Sequence, residues 1–230
     1  MKKALVLLSG GLDSTTALAL AVNKYGSENV GALVISYGQK HSKEMQSAKS
    51  VTAHYGIEPI FIDVSTVFEG SDCSLLQSSE KDIPTGSYKQ QQDGADGKPV
   101  STYVPFRNGL FLANAAAIAL SRGYDEIIYG AHSDDAAHNA YPDCSPEFNN
   151  AMMTAISTGT GGQLTLTAPF IGINKAAVVK KGLELDVPYE MTWSCYEGGE
   201  KPCGKCGTCI DRAAAFKANG IADPLIKEIG

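Results

Sequence analysis

Directly behind a short apolar run, residues 3–8 (KALVLL), stands Ser9-Gly10-Gly11-Leu12-Asp13-Ser14, and this juncture constrains the fold more than any other stretch of the chain. A continuous apolar run of that length reads as a strand buried on both faces, as in a parallel sheet. Two glycines permit positive φ and let a phosphate approach the backbone. Successive N–H groups and the start of a helix near Ser14 add positive potential. The turn therefore reads as an anion nest, with Ser9 and Ser14 adding hydroxyl donors and Asp13 placed to hold a Mg²⁺ that bridges phosphates. It lacks the lysine of the G-x-x-x-x-G-K-[ST] loop, so it is a different nucleotide device.

The elements that follow alternate. Residues 14–25 read as a helix, 30–36 as a strand, 42–55 as a helix ending at Gly56, and 59–64 as a third strand. Such β-α-β-α-β order with short connections implies a parallel α/β sheet with right-handed crossovers, whose ligands bind beyond the carboxyl ends of the strands. Residues 69–104, rich in Ser, Gln, Gly and Asp, break the rhythm and are expected to form a mobile lid. Residues 105–122 return to a helix apolar on nearly all sides, expected inside the core. A fourth strand is expected at 125–130, helices at 149–157, 174–185 and 210–219, and a fifth strand at 163–168. No repeat or boundary divides the 230 residues, which suit one large α/β domain, 1–230.

The net charge of −6 and the scattered Lys and Arg place nucleic acid below a small molecule as substrate, because phosphate tracking needs clustered cations. The apolar run after Lys2-Lys3 is too short for a signal peptide, and no stretch approaches the ~18 apolar residues of a membrane span. The cysteines are then expected to face the reducing cytoplasm. Cys195, Cys203, Cys206 and Cys209 have the spacing C-x7-C-x2-C-x2-C within residues 192–212. Four thiolates complete a tetrahedral Zn²⁺ and leave no open position, the pattern of one structural zinc per chain. A redox C-x-x-C, free thiols and an iron–sulfur cluster are the alternatives. Outside the cluster, Cys73 falls in the lid segment. Cys144 reads equally as a small buried hydrophobe or a substrate contact.

SGGLDS behind a buried first strand resembles the pyrophosphate (PP) loop of the N-type ATP pyrophosphatases. That resemblance implies a five-stranded parallel sheet of order 3-2-1-4-5, cleavage of ATP between the α and β phosphates, and adenylation of a substrate oxygen. Tyr37-Gly38-Gln39-Lys40-His41-Ser42-Lys43-Glu44, Val104-Pro105-Phe106-Arg107-Asn108, Gly130-Ala131-His132-Ser133-Asp134-Asp135, Tyr141-Pro142-Asp143-Cys144 and Trp193-Ser194-Cys195-Tyr196, with the cysteine cluster, together resemble the 7-cyano-7-deazaguanine synthase family over residues 8–212. His138 stands where that pattern has glycine.

The resemblance implies an ATP-dependent carbon–nitrogen ligase of queuosine biosynthesis, homodimeric, that makes 7-cyano-7-deazaguanine from 7-carboxy-7-deazaguanine and ammonia through an adenylated carboxylate and an amide. The chain leaves no room for a glutamine-hydrolysing domain, so ammonia comes free or from a partner. Leu8, Ser9, Gly10, Gly11, Leu12, Asp13, Ser14, Thr15, Arg107 and Asn108 are the candidates for ATP, and Asp13, Lys175, at the head of a helix after a strand, and Asp134 for catalysis. Tyr37, Gln39, His41, Glu44, Asp135 and Asp143 are the candidates for the substrate. Plainer roles compete: Lys175 as a solvated helix-start lysine, Asp134 and Asp143 as turn caps, and His41 with Glu44 as an exposed i, i+3 pair.

Overall fold

The computed structural model describes residues 2–93, 98–136 and 140–227. β1 (Ala4–Leu7) runs into the glycine turn, and α1 (Leu12–Tyr25) begins two residues before the expected Ser14 because Gly11, in extended conformation, serves as its N-cap. β2 (Val30–Ser36), α2 (Lys43–His54) and β3 (Pro59–Asp63) follow where the apolar runs place them. Past a long, mostly irregular stretch that includes α3 (Tyr88–Gln92), the chain forms α4 (Arg107–Ser121), β4 (Glu126–Ile128) and α5 (Ser133–Ala136). It ends with α6 (Pro146–Gly159), β5 (Thr165–Thr167), α7 (Lys175–Glu184), α8 (Gly207–Ala218) and α9 (Pro224–Lys227).

All strand pairs are parallel and the order is β3-β2-β1-β4-β5. β1 is central, and the winding reverses between β1 and β4. The carboxyl ends of those two strands thus form the crevice in which open sheets bind ligands. Alternation splits β1 between two cores. Ala4, Val6 and Leu8 pack with Leu18, Val178, Val179 and Phe216 on one face, while Leu5 packs with Leu112, Ala115 and Ile127 on the other.

One expectation changes. α4 is not apolar on all sides in use: it buries Gly109, Leu112, Ala115 and Ala119 but leaves Leu120 exposed. Its alanines suit water and core alike, so composition concealed a one-sided helix. Within residues 69–104, the segment expected as a lid, several described side chains pack onto the body. Cys73, Leu75, Leu76 and Val104 make a small separate core with Tyr37 and Phe68, and the Gly86 amide donates to the Lys205 carbonyl at 2.9 Å. Among the described residues, no helix is long and apolar enough to cross a membrane.

Candidate active site

The glycine turn is shaped from outside by α2. Gly10 has φ +85°, and a Cβ there would lie 2.3 Å from the Glu44 carbonyl oxygen and 2.5 Å from the Ala48 nitrogen, so only glycine fits. The turn is laced by its serines. The Ser9 amide donates to Ser14 Oγ at 3.2 Å, the two hydroxyl oxygens are 3.0 Å apart, and the Gly11 amide donates to Ser9 Oγ at 3.2 Å. Ser9 and Ser14 thus fix the shape of the nest as well as offering it hydroxyls.

Next to the turn lies a buried charge cluster. Asp13 Oδ2 is 3.1 Å from Lys175 Nζ and 3.6 Å from His132 Nε2, and those two nitrogens are 3.4 Å apart. Burial on its own would raise the Asp13 carboxyl. The Lys175 ammonium and then His132 outweigh it and hold the carboxyl well below the usual carboxylate range. Lys175 is 7% exposed, so it is not the solvated helix-start lysine. Asp134 acts on it through the backbone: its Oδ2 accepts the Lys175 amide at 2.8 Å, while Asn174 accepts from Ala177 at 3.0 Å, and together they cap α7. Gly130 lets β4 approach, since a Cβ there would lie 2.9 Å from the Asp13 carbonyl carbon.

A cavity of about 210 Å³ runs from this cluster to an aromatic end. At that end the Arg107 guanidinium lies 5.5 Å from the Tyr37 ring centroid and 5.9 Å from that of Phe111. Phe106, just before it, takes a left-handed conformation with φ 52°, which turns the chain sharply into α4. Glu44 lines the same cavity from α2, and burial pushes its carboxyl up to about 7 against the pull of Arg107. Gln39 is buried and its Oε1 accepts the Tyr37 amide at 3.0 Å. A chain of hydroxyls, Thr102 to Tyr141 at 2.6 Å, Tyr141 to Tyr196 at 3.2 Å and Tyr196 to Tyr88 at 2.8 Å, joins the 69–104 segment to the cysteine segment beside the cavity.

The four clustered cysteines have their Sγ atoms within 4.8 Å of one another, with Cys203 and Cys209 4.0 Å apart. A tetrahedral Zn²⁺ with ~2.3 Å bonds needs sulfurs about 3.8 Å apart, so the set fits the ion. Backbone amides of Cys203 and Cys206 donate to Cys195 Sγ and Cys203 Sγ, each at 3.3 Å, which favours thiolates. Arg212 fastens the segment from below. It forms a two-bonded pair with Asp223 at 2.7 and 2.9 Å and donates to Thr192 Oγ1 at 2.6 Å.

Most of the residues expected for ATP and substrate line the cavity, Lys175 among them. The described exceptions are Gly10, Thr15, His41, Asp134 and Asp143. Thr15 is buried inside α1, and His41 packs instead against Cys195 and Gly198. Asp143 is a cap: its Oδ2 accepts the Asn108 amide at 2.8 Å and its carbonyl the Asn108 side chain at 3.0 Å. The Asp135 side chain and His138 lie outside the described residues. Sequence reasoning missed His132, Trp193 and Tyr196 as site residues. His132 stands just beyond the end of β4, and the other two flank the first cysteine of the cluster, which were the available signals. Cys144 lines the cavity, buried, with its Sγ 3.2 Å from Asn108 Nδ2.

A family model described as queuosine biosynthesis protein QueC matches residues 3–220. A 7-cyano-7-deazaguanine synthase from Archaeoglobus fulgidus is 41% identical over 227 residues, covering 98% of this chain and 90% of that protein. One from Caldicellulosiruptor bescii is 42% identical over 227 residues, covering 99% and 98%. Among solved structures, NMN synthetase from Francisella tularensis superposes with a TM-score of 0.51 at 18% identity, covering 99% of this chain and 82% of that one. This last likeness is one of fold.

Proposed function

The chain belongs to the QueC family of queuosine biosynthesis proteins, and from that premise we propose that it is an ATP-dependent carbon–nitrogen ligase that converts 7-carboxy-7-deazaguanine and ammonia to 7-cyano-7-deazaguanine. The observation that carries the reading is a single cavity with a phosphate turn and the Lys175–Asp13 pair at one end and Glu44, Arg107 and aromatic rings at the other. A triphosphate and a flat polar ring would meet there.

A carboxylate is a poor electrophile. Its oxygen attacks the α-phosphorus of ATP, the bond to the β-phosphate oxygen breaks, and pyrophosphate leaves. The nest at Ser9–Ser14 and the Lys175 ammonium stabilise the charge that builds on the phosphates, the main electrostatic task. Ammonia adds to the acyl carbon, AMP departs with the carboxyl oxygen, and a proton is released to leave the amide. A second adenylation activates the amide oxygen, and loss of AMP and the remaining N–H protons gives the nitrile.

Asp13 holds the Lys175 ammonium in place, and His132 lies within 3.6 Å of Asp13 Oδ2 and 3.4 Å of Lys175 Nζ. Asp13 Oδ1 has no partner among the described residues and is the donor a Mg²⁺ would take. When bound, that ion neutralises phosphate oxygens. Zn²⁺ on the four cysteines would cross-link the wall carrying Trp193 and Tyr196, without entering the reaction. The reading includes a cytoplasmic homodimer acting on small molecules; the acidic balance of the chain supports the last point.

The test is incubation of the purified protein with ATP and 7-carboxy-7-deazaguanine, with and without ammonium. AMP should form only when the carboxylate is present, and the nitrile only when ammonium is. Nucleotide release indifferent to the carboxylate would reject the reading.

A further inference from the structure

Glu44 enters the cavity from the first turn of α2, half-buried and desolvated, and no described residue donates a hydrogen bond to its carboxylate. The adjacent Lys43 does not serve it, because its Nζ is placed 5.4 Å from the Trp193 ring centroid. Arg107 is the cation that bears on it, from the start of α4, at charge–charge range and without a direct ion pair. A half-buried carboxylate without a protein donor that opens on a ligand cavity is placed to meet a ligand's donors.

An acceptor pair on Glu44 and a donor fork on Arg107 line one space, walled by the rings of Tyr37 and Phe111, whose centroids are 5.7 Å apart. The matching edge carries two neighbouring N–H donors and then a carbonyl. A 2-amino-4-oxopyrimidine ring, the guanine-type edge, presents that order. Adenine does not, since beside its amino group a ring nitrogen would point its lone pair at the carboxylate.

We propose that Glu44 is the specificity-determining residue for the base, reading the ring N–H and 2-amino group of a guanine-type substrate while Arg107 takes the ring carbonyl, so that ATP is confined to the Ser9–Lys175 end. This assignment rests on the function proposed above. The raised carboxyl of Glu44 accords with it, as the state of a group whose donors come with the ligand.

The test is calorimetric titration at pH 8 of the wild type, Glu44→Gln and Glu44→Asp with 7-deazaguanine, with its analogue lacking the 2-amino group, and separately with ATP. The wild type should prefer 7-deazaguanine on the order of 100-fold, because the analogue leaves a polar group unpaired. Glu44→Gln should lose most of that preference and Glu44→Asp part of it, with ATP affinity, which also reports folding, within about twofold of wild type. A preference kept in Glu44→Gln, a loss that falls on ATP, or no binding of 7-deazaguanine by the wild type overturns the assignment. Glu44-dependent binding in a protein that releases no AMP from the carboxylate would leave this assignment standing and remove the proposed reaction.

Discussion

The Trp193 amide donates to the Gly10 carbonyl at 3.0 Å, so the segment that carries the cysteines is bonded directly to the glycine turn. The same tryptophan donates its ring N–H to the Cys195 carbonyl at 2.8 Å. The segment around the cysteine cluster, through Trp193, Ser194 and Tyr196, thus forms one wall of the cavity.

Removing the metal should consequently do two things. Chelation, or Cys203→Ser, should lower the thermal midpoint and weaken ATP binding together, because the wall and the turn share a hydrogen bond. Emission spectroscopy should report one zinc per chain. Iron in its place, or ATP affinity untouched by chelation, contradicts the structural role.

Neighbouring glycines should behave differently. Gly10→Ala forces a methyl group against the Glu44 carbonyl in a left-handed conformation, at a cost of about 2–4 kcal/mol. Gly11→Ala meets only Ser9 Oγ at 3.2 Å and the Trp193 carbonyl at 3.5 Å, so it should fold but bind ATP at least about tenfold more weakly. Denaturant unfolding and nucleotide titration of the pair check this. Equal effects on stability would count against the packing described.

Lys175→Met should lower kcat by roughly 100–1,000-fold, the size of losing one preorganised donor to developing charge. It should also destabilise the protein above pH 4. The sign follows from Asp13, whose carboxyl the lysine holds low: that stability is present above the ordinary carboxyl range and is lost as pH falls. Asp134→Ala, which removes only a cap on the Lys175 amide, should cost about 1 kcal/mol and far less activity. Equal kinetic losses in the two variants would mean that Asp134 touches the reacting groups.

Glu44 should weaken the ligand-free fold. Its carboxyl is raised from 4.5 to about 7, so folding favours the protonated form. That favourable contribution is complete below pH 4.5 and disappears as pH rises through 7. Glu44→Gln should therefore melt higher than wild type at pH 8, by about 1–2 kcal/mol, discounted from the full shift because the residue is half-exposed, and no higher at pH 4. A variant less stable at pH 8 would show that the carboxylate has a partner in the free protein.

The sheet was legible because β1 and β2 are apolar runs and β3, β4 and β5 sit in short segments closed by polar or glycine residues, and the turn and the cysteine spacing are local patterns. The rest of the site depends on distant contacts. Lys175 reads as a phosphate cation or as an exposed helix start alike, and only its burial beside Asp13, far away in sequence, decides against the second. His41 and Glu44 show i, i+3 spacing, yet α2 begins only at Lys43, so helical geometry does not relate them and they part company. For Asp134 and Asp143 capping competes with a role at the site, and which amides they cap is set by tertiary packing that the sequence does not show.

The central claim is that a carboxylate oxygen leaves as part of AMP. The direct measurement uses substrate labelled with ¹⁸O in both carboxyl oxygens, with ATP and ammonium, and mass analysis of the AMP. One label in the phosphate of each AMP released is the predicted result. Label appearing in water or inorganic phosphate while AMP stays unlabelled would contradict the account.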